Sequence, residues 1–171
     1  MTPYTIIFIG RSGCGKGTQA DLLKKYISDQ TGGEMPILYV ETGNKFREFI
    51  KGENYSSKLS FDVYEKDERQ PDFLACIMWG DILIKELTGK EHLMIDGAPR
   101  SMNETKLLET ALNFYKRNNP QIVYIDVSRD WSKKHLLARG RSDDATLEKI
   151  NKRLDWFDAD VIPAVEYYKS N

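Results

Sequence analysis

Tyr4-Thr-Ile-Ile-Phe-Ile-Gly10-Arg-Ser-Gly-Cys-Gly-Lys-Gly-Thr18 decides the fold. An apolar run from Tyr4 to Ile9 breaks at Gly10 into a glycine loop, and a helical pattern follows directly from Lys16. Glycines let the backbone curl until successive N–H groups point inward, where they cradle phosphate oxygens. A helix N-terminus behind such a loop adds partial positive charge, and Lys16 adds a full one. Strand, glycine loop and helix in that order distinguish a phosphate-binding P-loop from a simple glycine turn. Gly10, Ser12, Gly13, Cys14, Gly15, Lys16, Gly17 and Thr18 are the candidates for holding a polyphosphate.

Working outward, three more apolar runs stand out: Ile37 to Val40, His92 to Ile95 and Ile122 to Val127. They are nearly continuous rather than alternating, as expected of strands covered on both faces. Helical patterns lie between them. One runs from Lys16 to Ser28, with Leu22, Leu23, Tyr26 and Ile27 on one face. Another follows Pro71-Asp72, with Phe73, Leu74, Ile77, Met78 and Ile82 in phase, and a third carries Leu107, Leu108, Ala111, Leu112 and Tyr115. Trp131 to Ala138, Thr146 to Phe157 and a last helix from Pro163 complete the pattern. Strands alternating with helices predict an α/β domain, a parallel sheet with helices on both faces. Ser28 to Pro36, rich in turn residues, reads as a loop inserted before the second strand.

At 171 residues the chain has the length of a single domain, 1–171. Lys plus Arg (25) nearly cancels Asp plus Glu (26), so no global basic field is available to hold a nucleic acid. The apolar runs are far shorter than the ~20 residues that span a bilayer. The opening Met1-Thr2-Pro3 has no positive flank or cleavage site, so no secretory signal is expected. Cys14 and Cys76 form no disulfide framework or metal-ligand spacing, which fits a reducing cytoplasm. His92 and His135 have no sequence neighbour that would make either a base, and Trp79, Trp131 and Trp156 read as packing residues.

Gly17 follows Lys16 where many P-loops carry a magnesium-holding Ser or Thr, and Thr18 comes one place later. This Gly-Lys-Gly-Thr-Gln version resembles the nucleoside monophosphate kinases, adenylate kinase in particular. Three further segments resemble that family. Glu41-Thr-Gly-Asn-Lys-Phe-Arg47 is similar to Ser-Thr-Gly-Asp-x-x-Arg, with Glu41 and Asn44 departing from it. Asp96-Gly-Ala-Pro-Arg100 is similar to Asp-Gly-Phe-Pro-Arg. Leu136-Leu-Ala-Arg-Gly-Arg-Ser-Asp-Asp144, with Arg153 beyond it, is similar to the stretch around the family's lid, cut here to a vestige at about 139–144.

The resemblance implies the P-loop three-layer fold, with four strands seen here and the family's fifth absent. It implies an acceptor-binding helical part at about 43–88. The expected reaction is transfer of the γ-phosphate of ATP to a nucleoside monophosphate, AMP before others. Lys16, Arg100, Arg139, Arg141 and Arg153 are the expected catalytic residues, with Arg139 also on ATP. Thr42, Gly43, Arg47, Gly97, Arg100, Glu104, Arg141 and Arg153 are expected on the acceptor. Asp96, at a strand's carboxyl end, is placed to hold Mg2+ through water, with Thr18 nearby. Arg100 brings a planar fork suited to phosphate.

Glu104 falls where the family's glutamine reads the base, and an ionised carboxylate there only accepts hydrogen bonds. Phosphoryl transfer asks for positioning and charge rather than a nucleophile, which one lysine and five arginines supply. The expected partners are ATP and the monophosphate, with neither nucleic acid nor membrane, and the expected form is a cytoplasmic monomer. Two other readings stand beside this one. One is a P-loop kinase of another small acceptor, such as shikimate or gluconate, whose neutral hydroxyl calls for a carboxylate base. The other is a nucleotide-binding regulatory module without turnover.

Overall fold

The computed structural model describes residues 2–141, 144 and 146–170. Strands β1 (Thr5–Gly10), β2 (Ile37–Glu41), β3 (His92–Asp96) and β4 (Gln121–Ile125) form one parallel sheet in the order β2-β3-β1-β4. The predicted parallel sheet and its four strands are therefore present. Alternate residues of β1 explain why the run is continuously apolar. Ile6 and Phe8 join Ala20, Ile27 and Met94 on one face, while Ile7 and Ile9 join Trp79, Leu83, Leu108 and Val161 on the other. Burying about 150 Å² or more of each large side chain makes this two-sided core the main source of stability.

Helix α1 (Lys16–Thr31) covers the first face. Helices α2 (Thr42–Phe49), α3 (Tyr55–Glu65) and α4 (Asp72–Glu86) follow β2, and α5 (Met102–Phe114) follows β3. Helices α6 (Arg129–Arg139) and α7 (Leu147–Trp156) share a small core of Leu136, Ile150 and Leu154, all fully buried. A π-helical turn, Phe157–Val161, joins α7 to α8 (Ile162–Ser170), so Pro163 lies inside a continuing helical segment rather than opening a new helix.

The predicted Ser28 to Pro36 loop is shorter than expected. Helix α1 continues to Thr31, whose hydroxyl donates to the Ile27 carbonyl at 2.9 Å. The helix stops only at Gly32, which takes the left-handed conformation at φ 60, while Gly33 N–H returns to the Ser28 carbonyl at 2.9 Å. Turn-favouring Asp29 and Gln30 did not break the helix; the first glycine able to adopt positive φ did. Helix α3 falls within the helical part expected at about 43–88, but apolar periodicity did not mark it, because its buried positions include Ser57 and Ser60 rather than an apolar stripe. Among the described residues no helix is long and apolar enough to cross a membrane.

The start of β3 holds a titratable group inside the sheet. His92 is fully buried, its Nδ1 accepting the Tyr4 N–H at 2.9 Å and its ring stacked on Tyr4 at 5.2 Å. Burial, with Arg117 nearby, pushes its pKa below the ordinary histidine value. The unfolded chain therefore takes up the proton first as pH falls, and folded stability declines below about pH 6.5. We expect melting temperature to drop between about pH 7.5 and 5.5, and His92→Gln to flatten that drop. Thermal denaturation across this range measures it.

Candidate functional site

The sheet brings the functional segments to one edge. β3 pairs Asp96 with Phe8 on one side and Glu41 on the other, so Gly10, Glu41 and Asp96 all stand at the carboxyl ends of their strands. The crevice beyond such ends, where strand order reverses, is where open α/β sheets hold ligands. Here it is a cleft of about 730 Å³, lined on one side by Ser12, Gly13, Gly15, Lys16, Gly17 and Thr18. Opposite stand Glu41, Gly43, Arg47, Asp96, Gly97 and Arg100, and Arg139, Arg141 and Arg153 close the rim. Most of the expected site residues line this cleft; Gly10, Cys14, Thr42 and Glu104 do not.

The loop is shaped by close approach. A Cβ on Gly10 would lie 2.7 Å from Cys14 Sγ and 2.8 Å from the Ile125 carbonyl. Gly13, at φ 80, has Leu136 and the Ser132 carbonyl each 2.9 Å from its absent Cβ, so α6 packs directly on the loop. Lys16 Nζ donates to the carbonyls of Gly10 (2.8 Å) and Arg11 (3.2 Å), which holds the ammonium across the loop's mouth. Cys14 differs from expectation. It is buried, stands outside the cleft lining, and spends its N–H on the Arg11 carbonyl at 3.1 Å. The loop closes on itself at this residue.

Two of the three rim arginines, Arg139 and Arg153, are held by one buried carboxylate. Asp144 is 2% exposed; Arg139 Nε reaches its Oδ2 at 2.8 Å and Arg153 reaches Oδ1 at 2.8 Å. Arg153 also donates to Ser12 Oγ at 3.1 Å, tying the rim to the P-loop. A buried carboxylate shared by two guanidiniums fixes both, and removing it would leave two like charges adjacent. The expected aspartate pair is seen through Asp144 alone, because Asp143 lies outside the described residues. Gly140, within the stretch where a lid vestige was expected, takes the left-handed conformation at the end of α6.

Across the cleft, Arg47 NH1 and Arg100 NH2 converge on Gly43, at 3.4 and 3.6 Å from where its Cβ would be. Gly97, at φ 85, lies under the same Arg100 nitrogen, and Arg100 Nε is fixed by the Gly97 carbonyl at 2.7 Å. Burial lowers the Arg100 pKa, with Glu104 opposing that shift and Arg153 adding to it. A partly desolvated guanidinium pair beside the first turn of α2 is built to receive an anion.

Gly43, Arg47, Arg100 and Arg153 also line a second pocket, continuous with the cleft and walled by Phe46, Ile50, Tyr64 and Trp156. Trp156, read from sequence as packing, stands at this junction with Arg100 over its ring at 5.8 Å. Nothing in the sequence marked it, because helical spacing alone does not say which face meets a cavity. Arg69 also lines this pocket, paired with Asp72 and, at 2.9 Å, with Asp160.

Two expected acceptor residues stand apart. Glu104 is fully buried and lines neither cavity. Its Oε1 accepts Trp79 Nε1 at 3.0 Å and its Oε2 accepts the Arg100 N–H at 2.6 Å. It sits in the first turn of α5, where a carboxylate satisfies backbone donors ahead of the helix, and so it supports the Arg100 loop instead of reading a base. Thr42 is likewise fully buried and outside both linings. Its hydroxyl is buried and without a hydrogen-bond partner among the described residues.

A parallel sheet, a P-loop and a ring of arginines facing a two-part cleft define the class: a P-loop phosphotransferase. Residues 8–171 match the family model for adenylate kinase. The adenylate kinase of Parabacteroides distasonis is 31% identical, over 95% of this chain and 83% of its own length. That of Prochlorococcus marinus strain MIT 9515 is 32% identical over 96% and 84%. Adenylate kinase 1 of Nostoc sp. is 29% identical over 95% and 83%. The chain belongs to the adenylate kinase family.

Glu104→Gln replaces one acceptor oxygen by a donor that must face either Trp79 Nε1–H or the Arg100 N–H. We expect a loss of about 2 kcal/mol, the cost of leaving a buried donor unpaired, seen as a lower melting temperature. The ratio of rates with different acceptor bases should stay constant, measured by comparing initial rates with AMP and GMP.

Proposed function

We propose that this enzyme transfers the γ-phosphoryl group of ATP to AMP, giving two molecules of ADP. One observation carries the reading: two guanidiniums, Arg47 and Arg100, converge on Gly43 in the same cleft as Lys16 and its loop. A second phosphate site facing a first is what transfer between two phosphorylated substrates requires. The names of the relatives agree with it.

The loop amides and Lys16 hold the donor's β- and γ-phosphates. Arg47 and Arg100 hold the acceptor phosphate, and the pocket walled by Phe46, Ile50, Tyr64 and Trp156, with polar groups of Asp67, Glu68, Arg69 and Gln70 on its lining, takes its base. Because that pocket joins the cleft at Gly43, Arg47, Arg100 and Arg153, a nucleotide fits with its phosphate at the junction and its base beyond. The attacking atom is an oxygen of the acceptor phosphate, already ionised, so no general base is needed. Arg139, Arg141 and Arg153 neutralise charge on the moving group from the rim. Residues 43–88 form the acceptor-binding part.

The oxygen donors of Asp96 and Thr18 share the cleft with Lys16, and hard oxygen ligands suit Mg2+. Among the described residues no group of three His, Cys, Asp or Glu side chains could cage an ion, so Asp96 and Thr18 would supply only some of the oxygens that Mg2+ takes. When bound, Mg2+ supplies charge neutralisation on the β- and γ-phosphates. Asp96 is kept oriented by the Tyr39 hydroxyl, which donates to its Oδ2 at 2.9 Å.

Lys16→Ala is expected to lower kcat by about a hundredfold or more with the fold retained, in a coupled assay of ADP formation. A variant keeping more than about a tenth of the native rate would contradict the assigned role. Arg100→Ala is expected to raise the acceptor KM and lower kcat together, since it touches phosphate in both ground and transition states. Unchanged acceptor kinetics would remove the second phosphate site.

A further inference from the structure

Glu41 closes β2 and occupies the N-cap position of α2, yet its side chain caps nothing. Serine, threonine, aspartate and asparagine are the residues that cap a helix from this place; a glutamate is a poor substitute. Its carboxylate instead accepts Arg47 NH2 at 2.9 Å, and Asn44 Oδ1 meets the same nitrogen at 3.4 Å. Arg47 NH1, the other terminal nitrogen, lies toward Gly43 and Arg100. Both chain positions that depart from the family's pattern in this segment thus touch one nitrogen of one arginine. Together they hold the guanidinium from behind.

We propose that Glu41, assisted by Asn44, is a positioning residue that turns Arg47 so that NH1 faces the anion site. The inference rests on Arg47 serving the acceptor phosphate. A guanidinium has five donors in a rigid fork, so fixing one edge orients the other. Without the clamp, the edge of Arg47 away from the anion site would lose its acceptors and the guanidinium could take other rotamers. Preorganising it lowers the ordering cost of taking the acceptor and affects binding before chemistry. Arg47 and Glu41 are one-third and two-fifths exposed, so the effect is modest in size.

Steady-state kinetics with varied AMP test this in Glu41→Ala, Glu41→Gln and Arg47→Ala, each checked for native melting behaviour. Glu41→Ala is expected to raise the acceptor KM about fivefold with kcat within about twofold. Glu41→Gln, which keeps an oxygen for NH2, should stay within about twofold of native. A KM in Glu41→Ala that is unchanged overturns the inference, and a lower one does so by making Glu41 a rival of the phosphate. Failure of Glu41→Gln to rescue also overturns it. If Arg47→Ala itself leaves the acceptor KM unchanged, the acceptor site falls and the inference with it. A raised KM in Arg47→Ala beside a native one in Glu41→Ala removes the inference alone.

Discussion

Parallel pairing of β3 with both β1 and β2 is the constraint on which the site depends. It sets Asp96 beside Phe8 and Glu41 at the same edge, just where Gly10 leads into the phosphate loop. A slip of one residue would invert every side chain on the strand. The strands cannot slip, because Leu93, Met94 and Ile95 are fully buried and each face of the sheet has its own core. Packing that looks purely structural therefore fixes the distance between donor and acceptor halves of the cleft.

Three buried charged residues, Asp144, Glu104 and Arg117, are each engaged by more than one partner. Asp144 joins two rim arginines, and Glu104 takes two N–H donors, one from an indole and one from the backbone of Arg100. Arg117, also buried, gives its guanidinium to the carbonyls of Pro3, Gly89 and Glu91. Unpaired, any of these would cost several kcal/mol. Paired, they act as fixed points: Asp144 for the rim and Glu104 for the loop that carries Arg100. The electrostatics of the cleft are preorganised by carboxylates that never face it.

The part from α2 to α4 is anchored in the main core by Trp79, Ile82 and Leu83 of α4, and ion pairs join it to the C-terminal helices. Arg69, just before α4, reaches Asp160 in the π-helical turn, and Asp67 meets Lys149 of α7 at 3.5 Å. The small core under α2 and α4, built on Phe46, Leu74 and Ala75, is separate from the main one. Attachments of this kind are polar and weakened by salt, unlike the dry contacts within the sheet.

The sequence by itself determined the phosphate loop, the parallel α/β layering and the placing of Asp96 and Arg100 at a strand end. These are local: glycine spacing, apolar run length and chain order suffice, and the solved positions agree to within a few residues. Tertiary structure decided the rest. Whether Glu104 faced a base or its own helix start depended on Trp79, 25 residues away, which supplies the indole donor that holds it. Glu41 and Asn44 looked like mere departures from a pattern until the fold laid Arg47 against both. Trp156 became a pocket wall only because α7 lies beside Arg100. A sequence states which groups a side chain can offer; only the folded chain, by choosing which of them stay dry, states what they meet.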